Sequence, residues 1–143
     1  GTHGGMVAGF LGNNIRIPIV GIGVSRDPAD QEPLVHKEAQ AVMDLLGTGV
    51  TVPREAVKSV GGYWQPKYSV PNAAMVEAVQ LLARTEGIPL DPVYTGKIMA
   101  GLIGLARKGE LRPGENVLFL HTGGLPSLHA YERAVLDETA SRG

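Results

Sequence analysis

No cysteine occurs anywhere in the 143 residues. Disulfides, thiolate nucleophiles and cysteine-based metal sites are thereby excluded, and a reducing, cytoplasmic setting is the expectation. Aromatic side chains are scarce, with two Phe, one Trp and four Tyr. No apolar run approaches the roughly 18 residues of a membrane-spanning helix, and the opening residues lack the pattern of a secretory leader. An excess of charge is missing too, since 13 basic and 14 acidic side chains leave a formal charge of −1. That balance excludes a broad electrostatic footprint for nucleic acid or an anionic membrane, though not a small local patch.

What is present belongs to a globular domain. Hydrophobic residues make up 43% and charged residues 19%, which excludes a disordered chain. The length is that of one ordinary domain, able to bury roughly 68–70% of its unfolded surface. Twenty glycines imply many tight turns and close helix contacts. The chain opens Gly1-Thr2-His3-Gly4-Gly5 without a Met and turns apolar at once through Met6, Val7, Ala8, Phe10 and Leu11. Natural N-termini are usually polar and frayed, so this opening reads as the interior of a larger protein.

Thr2 is the expected N-cap of a first helix ending near Gly12 and Asn13. Residues 16–25 (RIPIVGIGVS) form a nearly continuous apolar run, as in a parallel strand covered on both faces. After a loop at 27–30, Leu34, Val35, Ala39, Val42, Leu45 and Leu46 mark a helix that starts at 32 or 33 and stops at Gly47. Residues 50–60 are ambiguous, with Pro53 beginning either a turn or a short helix. The stretch 61–71 has no period, and its aromatic residues in an irregular loop suggest a pocket lining. Residues 72–86 form a helix with Met75, Val79 and Leu82 on one stripe and Gly87 as its stop. A second helix, at 95–108, is apolar almost all round and should be buried, its glycines admitting close backbone packing. Residues 115–120 read as another buried strand, and a last helix is expected at about 126–139. Strands alternating with helices give an α/β class with a parallel sheet covered by helices. Two strands are too few for a free-standing sheet.

Three features carry chemistry. Gly1-Thr2-His3-Gly4-Gly5 at a helix start offers free backbone N–H groups and a positive dipole end, the makings of an anion site or of a mere tight turn. His121-Thr122-Gly123-Gly124 follows an expected strand and precedes a helix, the edge where open α/β sheets bind ligands. Tyr68 and Tyr94 both precede helices, where a phenol with a lowered pKa can act as acid or base, or simply pack. Gly21-Ile22-Gly23 is no dinucleotide fingerprint, because Arg26 stands where the third glycine belongs. His3, His36, His121 and His129 lack ligand spacing, so no metal site is expected, and no GxSxG elbow occurs. Asp27, Asp30, Glu32 and the Glu132, Asp137, Glu138 group read as solvated faces. The residues together suggest a phosphorylated ligand without naming it.

Asp91-Pro92-Val93-Tyr94-Thr95-Gly96-Lys97, followed by Met99-Ala100-Gly101-Leu102, resembles the D-cysteine desulfhydrase and 1-aminocyclopropane-1-carboxylate (ACC) deaminase family. The same resemblance extends to Val117-Leu118-Phe119-Leu120-His121-Thr122-Gly123-Gly124, to Tyr68-Ser69-Val70-Pro71-Asn72 and to the opening Gly1-Thr2-His3-Gly4-Gly5-Met6. It runs the whole length, in the family's order. The resemblance implies a partial tryptophan-synthase-β-like fold, fold type II, with pyridoxal 5′-phosphate (PLP) as cofactor. It implies that residues 1–143 are the C-terminal portion of a PLP-dependent lyase and belong to its PLP-binding α/β domain.

By the same resemblance, Gly1 and Thr2 would close the loop that holds the PLP phosphate. Tyr94 would lie near the substrate Cα as a proton-transfer group with Tyr68 beside it, and Thr95 and Thr122 would flank the pyridine nitrogen. ACC deaminases typically carry Glu and Leu at the latter two positions, whereas two threonines are the desulfhydrase pattern. A glutamate would keep the ring nitrogen protonated and the electron sink strong, while a hydroxyl leaves a weaker one. Expelling a thiol from Cβ needs less help than opening a cyclopropane. The favoured activity is therefore β-elimination of D-cysteine or a related amino acid to pyruvate, ammonia and sulfide. ACC deamination, elimination from cysteate and a non-catalytic scaffold are the alternatives. None of Lys37, Lys58, Lys67, Lys97 and Lys108 matches the family's Schiff-base lysine, which lies upstream. A complementary N-terminal segment carrying that lysine is thus an expected partner, the resemblance implies a homodimer of the full enzyme, and this chain by itself is expected to be inactive.

Overall fold

The computed structural model describes residues 1–136 and gathers the chain into two compact units, Gly1–Gly61 and Gly62–Gly143. The first unit contains α1 (Thr2–Gly12), β1 (Val20–Ile22), α2 (Pro28–Leu45), a 3-10 turn (Arg54–Ala56) and β2 (Lys58–Val60). The strands pair in parallel, Val20 opposite Lys58, Gly21 opposite Ser59 and Ile22 opposite Val60. The parallel α/β pattern read from the sequence is present, on fewer residues than expected.

Each difference has a physical cause. Gly1, not Thr2, is the N-cap of α1, and no side chain caps it. The strand expected over 16–25 shrinks to three residues, because Pro18 cannot donate to a ladder and β2 offers only three partners. Nor is it covered on both faces, since Val20 and Ile17 are exposed. Helix α2 starts earlier than residue 32, at Pro28, with Asp27 as N-cap; a proline at the first helical position costs nothing because its missing N–H would be unpaired there. The ambiguous stretch resolves into the 3-10 turn and β2. Its approach, residues 50–52, is fixed to α2 by Gln40, whose side chain accepts from the Val52 N–H at 2.8 Å, and by a His36 contact to the Val52 carbonyl at 2.8 Å. Helices α1 and α2 enclose Val7, Ala8, Val35, Ala39, Met43, Val52 and Val57. They approach closely at Gly4, where a Cβ would stand 3.1 Å from Glu38 Cβ and 3.3 Å from the Val35 carbonyl oxygen.

The second unit contains α3 (Ala73–Glu86), α4 (Thr95–Arg107), a 3-10 segment (Leu125–Tyr131) and α5 (Glu132–Leu136). Helix α3 forms where its signals put it: the Asn72 side chain accepts from the Met75 N–H at 2.8 Å, and Gly87 closes the helix at φ +67°. Its apolar stripe packs on α4 through Met75, Val76, Ala78, Val79, Leu90, Met99 and Ala100, with Val135 from α5. At Gly96 a Cβ would come within 2.8 Å of Val79 Cγ2, so glycine sets the spacing of the pair. The buried strand expected at 115–120 is not formed, and Leu118 is 85% exposed. A strand exists only as part of a ladder, and no segment pairs with this run among the described residues. The last helix begins as a 3-10 segment and becomes α-helical only at Glu132; Asp137, Glu138 and its expected end at 139 lie outside the described residues. No helix among the described residues is long and apolar enough to cross a membrane.

Candidate functional site

The second unit builds its polar centre on Asp91. The Asp91-Pro92 dipeptide turns the chain, and the carboxylate folds back over the start of α4. One oxygen accepts the N–H groups of Val93 and Tyr94, both at 2.8 Å, and the other accepts the Thr95 N–H and the Thr95 hydroxyl, both at 2.7 Å. The Asp91 N–H in turn donates to the Thr95 hydroxyl at 2.8 Å. Asp91 thereby satisfies the donors that a helix start leaves unpaired, a capping role sequence reasoning did not assign to it. Its signal was legible: an Asp-Pro turn just ahead of an apolar helix.

This cap aims Tyr94 outward. Tyr94 and Tyr68, both 44% exposed, meet through their hydroxyls, with ring centroids 6.0 Å apart at 64°. The two tyrosines singled out from the sequence are thus brought together, although 26 residues separate them. The hydrogen bond to Tyr94 holds the Tyr68 phenol above its ordinary range, with lesser contributions from desolvation and from Tyr94, Tyr131 and Asp91 charge. The raised Tyr68 phenol keeps its proton, and either hydroxyl of the pair can be the donor.

The Gly-Gly turn comes to the same cap. The Gly123 N–H donates to His121 Nδ1 at 3.1 Å, which leaves Nε2–H to donate to the Pro89 carbonyl at 3.0 Å. His121, expected only as a strand-end residue, serves here as the peg of the turn. Gly124 sits directly on Asp91, at φ +89°, with its would-be Cβ 2.8 Å from Asp91 Cγ. Thr122 is exposed. Thr95, expected beside a ring nitrogen, is 0% exposed, and its hydroxyl is engaged with Asp91.

In the first unit, Gly1 precedes α1 and Thr2 is its first residue. The first N–H groups of α1 have no intrahelical acceptors, as at any helix start, and the Cβ direction of Gly1 is open. His3 is partly buried, and its Nε2 has no hydrogen-bond partner among the described residues. Burial lowers its pKa from the ordinary 6.5, against a smaller opposing pull from Glu32.

Comparison with known proteins agrees with the resemblance. The family model described as pyridoxal-phosphate dependent enzyme matches residues 1–123. A 1-aminocyclopropane-1-carboxylate deaminase of Pseudomonas syringae pv. syringae (strain B728a) is 39% identical over 130 residues, covering 91% of this chain and 38% of that protein. A D-cysteine desulfhydrase of Salmonella typhi is 42% identical over 131 residues, covering 92% and 39%. The crystal structure of an ACC deaminase homologue matches with a TM-score of 0.78 at 34% identity, covering 94% of this chain and 41% of that one. The chain thus spans about two fifths of the length of these relatives.

Proposed function

Since this chain belongs to the pyridoxal-phosphate-dependent enzyme family, we propose that it forms the C-terminal part of a carbon–sulfur lyase. Its substrate is D-cysteine or a related β-substituted amino acid, and its products are pyruvate, ammonia and sulfide. The observation that carries the reading is the paired, exposed hydroxyls of Tyr68 and Tyr94 at the start of α4.

The residues present fit the cofactor. Gly1 leaves an uncrowded approach to the first turn of α1, where the N–H groups of Thr2 and its neighbours suit a phosphate. Thr122 offers an exposed hydroxyl to a ring nitrogen, with Thr95 locking the cap behind it. When bound, PLP supplies the electron sink for charge developing at the substrate Cα.

The chain's own residues then divide the work. Tyr94 holds or moves a proton at its Oη toward the substrate. Tyr68 donates to that oxygen and steadies it while the proton is away. Asp91 fixes the backbone from which Tyr94 projects. With threonine rather than glutamate at 95, this cap holds no carboxylate to keep a ring nitrogen protonated, which favours departure of a good leaving group over ring opening and supports the desulfhydrase reading over the deaminase one. Lys97 is fully buried and none of the other four lysines matches the Schiff-base position. By the family resemblance that lysine lies upstream, so a complementary N-terminal segment supplies it in the complete enzyme.

The test is an assay of the complete enzyme. Pyruvate and sulfide released from D-cysteine are the expected result. Ammonia and 2-oxobutanoate from ACC with no sulfide from D-cysteine would replace this reading by the deaminase one, and sulfite from cysteate would move it to a sulfonate-eliminating lyase.

A further inference from the structure

The loop before Tyr68 has no regular structure, yet four of its carbonyls accept side-chain donors. Asn72 Nδ2 donates to the carbonyls of Tyr63 at 3.0 Å and Gln65 at 2.7 Å. Lys97 Nζ donates to Trp64 at 2.9 Å and Lys67 at 3.2 Å. The Lys67 carbonyl also accepts the Val70 N–H at 3.1 Å, which closes a four-residue turn with Tyr68 and Ser69 at its corner. Ser69 stands there at φ +66°, the position and sign that a type II turn normally gives to glycine. A side chain in the left-handed region is strained and persists only where its surroundings impose it. Here Tyr131 imposes it: its hydroxyl donates to the Ser69 carbonyl at 2.7 Å and also meets the Ser69 hydroxyl.

Lys97 is the stranger member. It is 0% exposed and has no ion pair among the described residues. Burial without a carboxylate disfavours an ammonium, and the pKa is lowered accordingly. A methionine would fill the space without that cost. What methionine cannot do is donate to two carbonyls.

We propose that Lys97 and Tyr131 are positioning residues that clamp the turn on either side of Tyr68, so that its hydroxyl is held on Tyr94. Lys97 fixes the peptide before Tyr68, and Tyr131 holds the carbonyl and hydroxyl of Ser69, the residue after it. The part concerning turnover rests on the role given above to Tyr68; the clamp itself does not.

The experiment makes Lys97→Met and Tyr131→Phe in the complete enzyme and reads two quantities. The first is amide exchange in a peptide spanning residues 65–71. It should quicken about tenfold or more in either variant, while exchange within α3 and α4 stays as in wild type. Unchanged exchange over 65–71, or loosening spread evenly through α3 and α4, overturns the clamp. If Lys97→Met does not fold, Tyr131→Phe alone decides, since it keeps the ring and loses only the hydroxyl. The second is a kinetic cycle with Tyr68→Phe. Tyr131→Phe should lower kcat about tenfold with KM changed less than about twofold, and should do nothing further once Tyr68 is Phe. Additive losses overturn the action through Tyr68. If Tyr68→Phe itself leaves kcat unchanged, the proposed chemistry of Tyr68 fails, and amide exchange still decides the clamp.

Discussion

Removing the Asp91 carboxylate should be among the most damaging single changes outside the apolar core. In Asp91→Ala, three peptide N–H groups and the Thr95 hydroxyl lose their acceptor together. Val93 and Thr95 are buried, so water does not readily replace it, whereas Tyr94 is open to solvent. Each buried orphan donor costs about 1–3 kcal/mol, and loss of a helix cap alone about 1 kcal/mol. Two buried N–H orphans and the cap together amount to about 3–7 kcal/mol, a large share of the 5–15 kcal/mol typical of a whole domain. Asp91→Asn should cost less, about 1–3 kcal/mol. Its amide oxygen can still serve Val93 and Tyr94, but its NH2 then faces the Thr95 N–H. The assay is urea unfolding of the complete protein, read as a midpoint shift at constant slope. A loss under about 1 kcal/mol for Asp91→Ala, or an Asn variant as unstable as the Ala one, would refute the accounting.

The remaining predictions concern the Gly-Gly turn, the proposed proton-transfer group and the first helix. Gly124→Ala should lower stability by about 2 kcal/mol or more, because φ +89° and the Asp91 side chain both oppose a Cβ; the same urea assay checks it, and a neutral effect would mean the turn is not seated on Asp91. Tyr94→Phe should cut turnover about 10²-fold or more while leaving the unfolding midpoint near wild type; unchanged kinetics would remove Tyr94 from the proposed chemistry. His3 has a folded pKa below its ordinary 6.5, so below pH 6.5 the unfolded chain binds the proton first and stability falls until the folded pKa is reached. Unfolding midpoints of wild type and His3→Gln should therefore diverge as the pH drops from about 7.5 through 6.5, the variant losing less; parallel profiles would contradict the burial of this imidazole.

Legibility differed sharply between neighbouring elements. Helix α3 could be read almost to the residue because Asn72 and Gly87 are local signals acting through the backbone within one turn of themselves. Residues 115–120 were misread for the opposite reason: an apolar run reports a wish to be buried, whereas a strand needs a second segment to pair with, and none among the described residues does so. Strand β2 went unseen because three residues carry no usable period. In the site, Tyr68 and Tyr94 stood out as tyrosines ahead of helices, and the motifs around them led to the family. Lys97 and Tyr131 belong to the motifs but were given no role, since what each holds is set by partners more than 25 residues away.

Family, cofactor class and fold class follow from the order of short motifs, and those are properties of the sequence alone. So are the caps and stops of α3, whose causes lie a few bonds away. Tertiary structure alone decided that Tyr68 meets Tyr94, that Asp91 carries Gly124 on its side chain, and that Lys97 donates to the carbonyls of Trp64 and Lys67. These are contacts between segments distant along the chain. Their geometry depends on how α3 and α4 pack, and packing is settled by the summed fit of many side chains rather than by any residue's own preference.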